Sequence, residues 1–141
     1  MTLTRIYIPL NASELRSLDA RCVITEAPFL AFAVTDAVRI AAPTAGQDAW
    51  EYVALSEAAL CSAALLGSGE KRRIVAAADV APELVGLAAP GDDIDASAVS
   101  ILDSVALKRI ASFHVDDDDA SEDDELLWYD VTELPVILAL L

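Results

Sequence analysis

Apolar positions along the chain fall into short strand-length runs and into stretches of helical spacing, with turn residues between them. Residues 5–10, RIYIPL, alternate and are rich in β-branched side chains; Pro9, which has no N–H to give a ladder, predicts a strand that stops at an edge. Asn11 and Glu14 have the spacing of a cap and its third-residue partner, opening a helix with Leu15 and Leu18 on its inner face. FLAFAVT, residues 29–35, is a continuous apolar run and predicts a central strand buried on both faces. A short helix from Asp36 to about Ala42 meets the turn-rich PTAGQD. The longest helix is expected over Asp48–Leu66, a stretch without Gly or Pro that ends at Gly67 and Gly69. Its polar residues Glu51, Ser56, Glu57 and Ser62 share no single stripe, which predicts a helix covered on most sides.

Arg72–Val80 reads as the next strand, and APELVGLAAPGDD, residues 81–93, as a loop with about one helical turn. Ser97–Val105 and Ile110–Asp116 alternate and could pair as neighbours across a turn at Leu107–Arg109. Glu125–Val131 is the last strand, with Trp128 and Tyr129 on opposite faces of it. Asp130 and Glu133 repeat the capping-box spacing ahead of an apolar helix, LPVILALL, whose Pro135 falls in the tolerant first turn; that helix is expected to dock on the domain. The expectation is an α+β (α/β-like) single domain over residues 1–141. It is a two-layer domain with a mixed sheet of about five to six strands packed by helices, and a flexible acidic loop at 117–124.

Composition supports a filled core: 55% of the 141 residues are hydrophobic, and a chain of this length buries roughly two-thirds of its unfolded surface. Acids or arginines interrupt every apolar run before it reaches membrane-spanning length, so no membrane association is expected. The opening MTLTRIYIPL lacks a small-residue cleavage site and resembles a strand more than a signal peptide, which points to a cytoplasmic protein. Cys22 and Cys61 belong to no ligand or CxxC pattern and read as reduced packing residues. A net charge of −15 argues against binding nucleic acid through its phosphates; the only local basic cluster is Lys71, Arg72 and Arg73.

Motifs for dinucleotide binding, P-loop chemistry, a serine nucleophile elbow or a zincin are absent, and His114 is the only histidine. No cofactor is implied. Asp36, Asp79, Asp116 and Asp130 stand near strand ends. Capping explains most of them, as acids ahead of helices. If the strands were parallel, Asp79, Asp116 and Asp117 could instead converge as ligands of Mg²⁺ or Mn²⁺ in an enzyme acting on phosphate esters. Eight of the ten residues from Asp116 to Glu125 are acidic. They do not fit an EF-hand, since Glu122 and Trp128 fall where glycine and glutamate belong, so a repelling, solvated, mobile bridge is the simplest reading. An acidic patch for a basic partner is the alternative, and nucleic-acid mimicry a weaker third idea. His114 reads as a hydrogen-bonded structural residue.

RIYIPLNASELRSL, AFAVTDAVR, EYVALSEAA, RRIVAAADV, FHVDDDD and ELLWYDVTELP, in this order, resemble a family of small, uncharacterised actinobacterial proteins classed as a domain of unknown function. The resemblance implies a bacterial cytosolic protein and carries over no catalytic residue. The reading is a non-enzymatic domain that binds a protein partner or itself, with Asp116, Asp117, Trp128 and Tyr129 as the contact candidates.

Overall fold

The strand-forming runs assemble into one sheet larger than the pattern suggests. The computed structural model describes residues 2–88 and 95–141. Its elements are β1 (Thr4–Leu10), α1 (Ala12–Arg21), β2 (Val23–Ile24), β3 (Phe29–Ala33), α2 (Asp36–Ala41), α3 (Gln47–Ala64), β4 (Ile74–Val80), β5 (Val85–Leu87), β6 (Ala98–Ile101), β7 (Val105–Ala106), β8 (Ile110–Val115), β9 (Leu127–Asp130) and α4 (Leu134–Leu140). Seven strands form a sheet in the order β5-β6-β3-β1-β4-β8-β9, and β2 with β7 forms a second, two-stranded sheet. The α+β expectation holds, with more strands than expected and with helices on both faces. Every pairing among the described residues is antiparallel, so the sheet is not mixed.

Local signals act where they were read. Asn11 and Glu14 form a complete capping box on α1, and Leu15 and Leu18 of that helix are buried. Asp130 and Glu133 form another, over the short turn that leads into α4. Thr35, not Asp36, caps α2, its side chain accepting from the Val38 N–H.

Longer-range expectations change. β1 is the central strand, not an edge; Pro9 is tolerated there because the β3 ladder engages only Ile6 and Tyr7, and Pro9 pairs with Val75 of β4 alone. The 97–105 run splits into β6 and β7, which belong to different sheets. The expected pairing of this run with 110–116 does not form: β6 joins β3 and β5, while β8 joins β4 and β9. The 81–93 loop begins with a helical turn at Pro82–Leu84 and then contributes β5; its residues 89–93 lie outside the described residues.

Alternation divides the sheet into two unequal faces. Ile6, Ile8, Ile74 and Phe113 point to one side, where Leu15 and Leu18 of α1 and Leu134 and Ile137 of α4 complete the main core. Tyr7, Phe32, Val75 and Ala77 point to the other and meet Ala54, Ala58 and Ala59 of α3. Ser62 fixes the end of α3: its hydroxyl donates to the Leu10 carbonyl at 2.7 Å and accepts from the Ile74 N–H at 2.9 Å. α3 is therefore not covered on most sides. It lies on the sheet through small residues, and Tyr52, Val53 and Leu60 face outward. Among the described residues no helix is long and apolar enough to cross a membrane.

Candidate functional site

Arg73 immediately precedes β4 and Asp116 immediately follows β8, and the Ile74–Val115 register places the two opposite each other. Their side chains, 8% and 6% exposed, form a two-pronged pair: Nε donates to Asp116 Oδ2 and Nη2 to Oδ1, both at 2.8 Å. The Arg73 backbone N–H adds a third bond to Oδ2 at 2.9 Å. The remaining donor capacity of the guanidinium goes to main-chain carbonyls of the acidic segment, Ser121 at 3.1 Å, Glu122 at 2.9 Å and Asp124 at 2.8 Å. Arg72 donates to the Asp116 carbonyl at 2.7 Å and pairs with the Asp118 carboxylate. Hydrogen bonding to Asp116 raises the Arg73 pKa above its ordinary value against the opposing effect of burial.

The acidic segment is thus tied to the sheet through its backbone, while its carboxylates stay in solvent. Charge repulsion among its side chains is real, but a planar five-donor guanidinium gathers its backbone from below. Asp116 is consumed in this anchor and cannot serve as an exposed contact. Asp117, Glu122, Asp123 and Glu125 remain exposed.

Beside this anchor the second face of the sheet is only half covered. α3 packs over β1, β3 and β4. Further out, His114 and Ser112 of β8 pair with Trp128 and Asp130 of β9 on the α3 side. Trp128 is 61% exposed, whereas Tyr129 turns to the opposite face and packs on the main core. Between α3 and residues 122–126 runs a groove of about 500 Å³, with Tyr52, Ala59 and Leu60 on the helix wall and Glu122, Asp123 and Glu125 on the other.

Other titratable groups on this face are structural. Arg5 grips Asp79 across β1 and β4 with bonds of 2.7 and 3.0 Å. His114 stands edge-on to Tyr7, ring centroids 6.5 Å apart, and its Nε2 lies 3.4 Å from the Ser112 hydroxyl. Burial, then the nearby Arg5 charge, lowers the His114 pKa; burial, then Glu51, raises that of Tyr7.

The geometry also corrects the metal reading. Asp79 lies six residues along β4 from Arg73, the partner of Asp116, which at about 3.3 Å per residue is roughly 20 Å. Asp79 is spent on Arg5 and Asp116 on Arg73, while Asp117 faces solvent, so the three carboxylates do not converge. The reason is the antiparallel pairing, which sends the ends of β4 and β8 in opposite directions. Among the described residues no group of three His, Cys, Asp or Glu side chains could hold a metal ion.

A family model described as a family of unknown function (DUF6912) matches residues 4–123. The chain belongs to this family. No curated protein and no solved structure matches it. The matched span of this family member takes in α3, the Arg73–Asp116 anchor and most of the acidic segment, and stops short of Trp128 and Tyr129. Arg72 and Arg73 are the residues that sequence reasoning passed over. Their signal was present, as the one basic cluster in a chain of −15, but its partners lie more than 40 positions away.

Proposed function

We propose that this chain is a non-enzymatic binding domain of the actinobacterial cytoplasm whose partner is another protein, received on the α3 side of the sheet. The observation that carries the reading is the outer surface of α3, where Tyr52, Val53 and Leu60 are 56%, 41% and 60% exposed beside a groove. Single exposed apolar residues are ordinary, but several on one helix next to a concavity form a patch of the kind that marks interaction sites. Trp128 adds an exposed aromatic on the same side of the sheet, in a role that tryptophan fills at binding surfaces. Two free cysteines, and arginine in seven of nine basic positions, support the cellular setting.

A photo-crosslinking residue placed at position 60 and, as a control, at exposed Ser13 of α1, the helix packed on the other face of the sheet, tests this in the native host. Crosslinks to a defined protein from position 60 and none from position 13 are expected. Equal yields from both positions, or none from position 60, would overturn the reading.

A further inference from the structure

The walls of the groove differ in chemistry, and that difference identifies what fits between them. From it we infer that the occupant is a Lys- and Arg-bearing amphipathic helix of the partner protein; this rests on the proposed docking on α3 and names what docks. On the α3 wall, Tyr52 and Leu60 are large and exposed, while Ser56 and Ala59 between them are small. Large residues flanking small ones at spacings of three and four form a shallow notch along the helix, which accepts the ridge of a second helix. The facing wall carries Glu122, Asp123 and Glu125, and among the described residues none of these has an ion-pair partner.

These acids are not a waving tail. Arg73 holds the carbonyls of Ser121, Glu122 and Asp124, so the carboxylates are presented from a fixed backbone at the groove edge. A helix with an apolar stripe against α3 and cations along its flank would satisfy both walls at once. The two other candidate occupants fit less well. A second copy would bring another −15 and another acidic wall against the first, and an anionic membrane surface would be repelled in the same way.

The test uses the full chain and synthetic peptides of roughly four helical turns. One carries leucines at i, i+3, i+4 and i+7 with lysines on its flanks, a second replaces each lysine by glutamine, and a third scrambles the first. The lysine helix is expected to bind at least about tenfold more tightly than either control, with affinity falling as salt rises. Y52S/L60S, which alters no charge, is expected to lose about tenfold. E122Q/D123N/E125Q, which spares the carbonyls held by Arg73, is expected to bring the lysine helix down to the glutamine peptide's level and to flatten the salt dependence. Circular dichroism confirms that both variants keep the fold.

Equal binding of the scrambled peptide would overturn the inference, because it would show only charge attraction. Binding that needs Tyr52 and Leu60 but ignores the exchange of lysine for glutamine would overturn the basic occupant and leave docking on α3 standing. Sedimentation as a dimer that Y52S/L60S abolishes would assign the face to a second copy, also against the inference.

Discussion

On one face of the sheet, Ile6, Ile74 and Phe113 are sealed beneath α1 and α4 by side chains as large as themselves. On the other, Val75 and Ala77 meet Ala54 and Ala58, and the helix that covers them turns Tyr52, Val53 and Leu60 outward. Burial free energy scales with apolar area, so the larger first cluster contributes most of the hydrophobic stabilisation, while the alanines of α3 let that helix approach the second face closely. Small residues at the α3 contact leave Tyr52, Leu60 and the groove free for another molecule. If the proposed docking on α3 holds, stability and recognition fall on opposite sides of one sheet.

The contrast breaks first at Phe113, which is fully buried in the main core. Phe113→Ala is expected to cost about 3–5 kcal/mol, through lost burial and the cavity left behind. Leu60→Ser, on the outer surface of α3, is expected to shift stability by less than about 0.5 kcal/mol. Urea unfolding of the two variants measures both. Similar losses would mean that α3's outer residues belong to the fold and not to a docking face.

The next test concerns the ion pairs, one at each end of β4. Arg73→Met leaves Asp116 buried and unpaired and releases three carbonyls of the acidic segment, with an expected loss of about 3 kcal/mol. Protection of the backbone N–H groups of residues 117–124 against hydrogen exchange should fall in the same variant. Asp79→Asn disturbs a pair whose side chains are 38% and 35% exposed, and is expected to cost no more than about 1 kcal/mol. If Arg73→Met proved as mild as Asp79→Asn, the acidic segment would be a loose bridge after all.

These contrasts also show what was readable beforehand. Both capping boxes, with cap and partner three residues apart, were legible because the chemistry is local. The sheet order was not, since nothing in the run from 97 to 105 says that its first half will join β3 and its last residue, Val105, will join β2. For α3 the scatter of polar positions suggests cover on most sides, and the structure shows one covered face. A face of Ala54, Ala58 and Ser62 looks featureless in sequence, yet it is the face turned inward, because the close contact needs small side chains. In the acidic segment, the sequence displays only the repulsion among its own residues, and the guanidinium that gathers its backbone arrives through the β4–β8 register. Of the proposed contacts, Asp117 and Trp128 stand exposed, whereas Asp116 and Tyr129 turned out to face inward.

The smallest expected effect is a difference in pH dependence at the half-covered edge. His114 has its pKa lowered from the ordinary 6.5, chiefly by burial, and Arg5 adds repulsion. A base whose pKa is depressed by folding takes up its proton first in the unfolded chain. Its contribution therefore favours the native state above about pH 6.5 and is lost as pH falls from there toward the lowered native value. His114→Gln, which keeps a polar group near Ser112, removes that penalty. The variant's stability relative to the parent should then be higher at pH 5.5 than at pH 8, a window above the ordinary range of carboxylate titration, at about 4. Because the acidic segment is common to both proteins, its own titration cancels in the difference between their unfolding midpoints. The opposite sign would mean that His114 is held as a cation by a carboxylate. The Tyr7 and Ser112 side of the sheet would then be a charged site and not the quiet border of the groove.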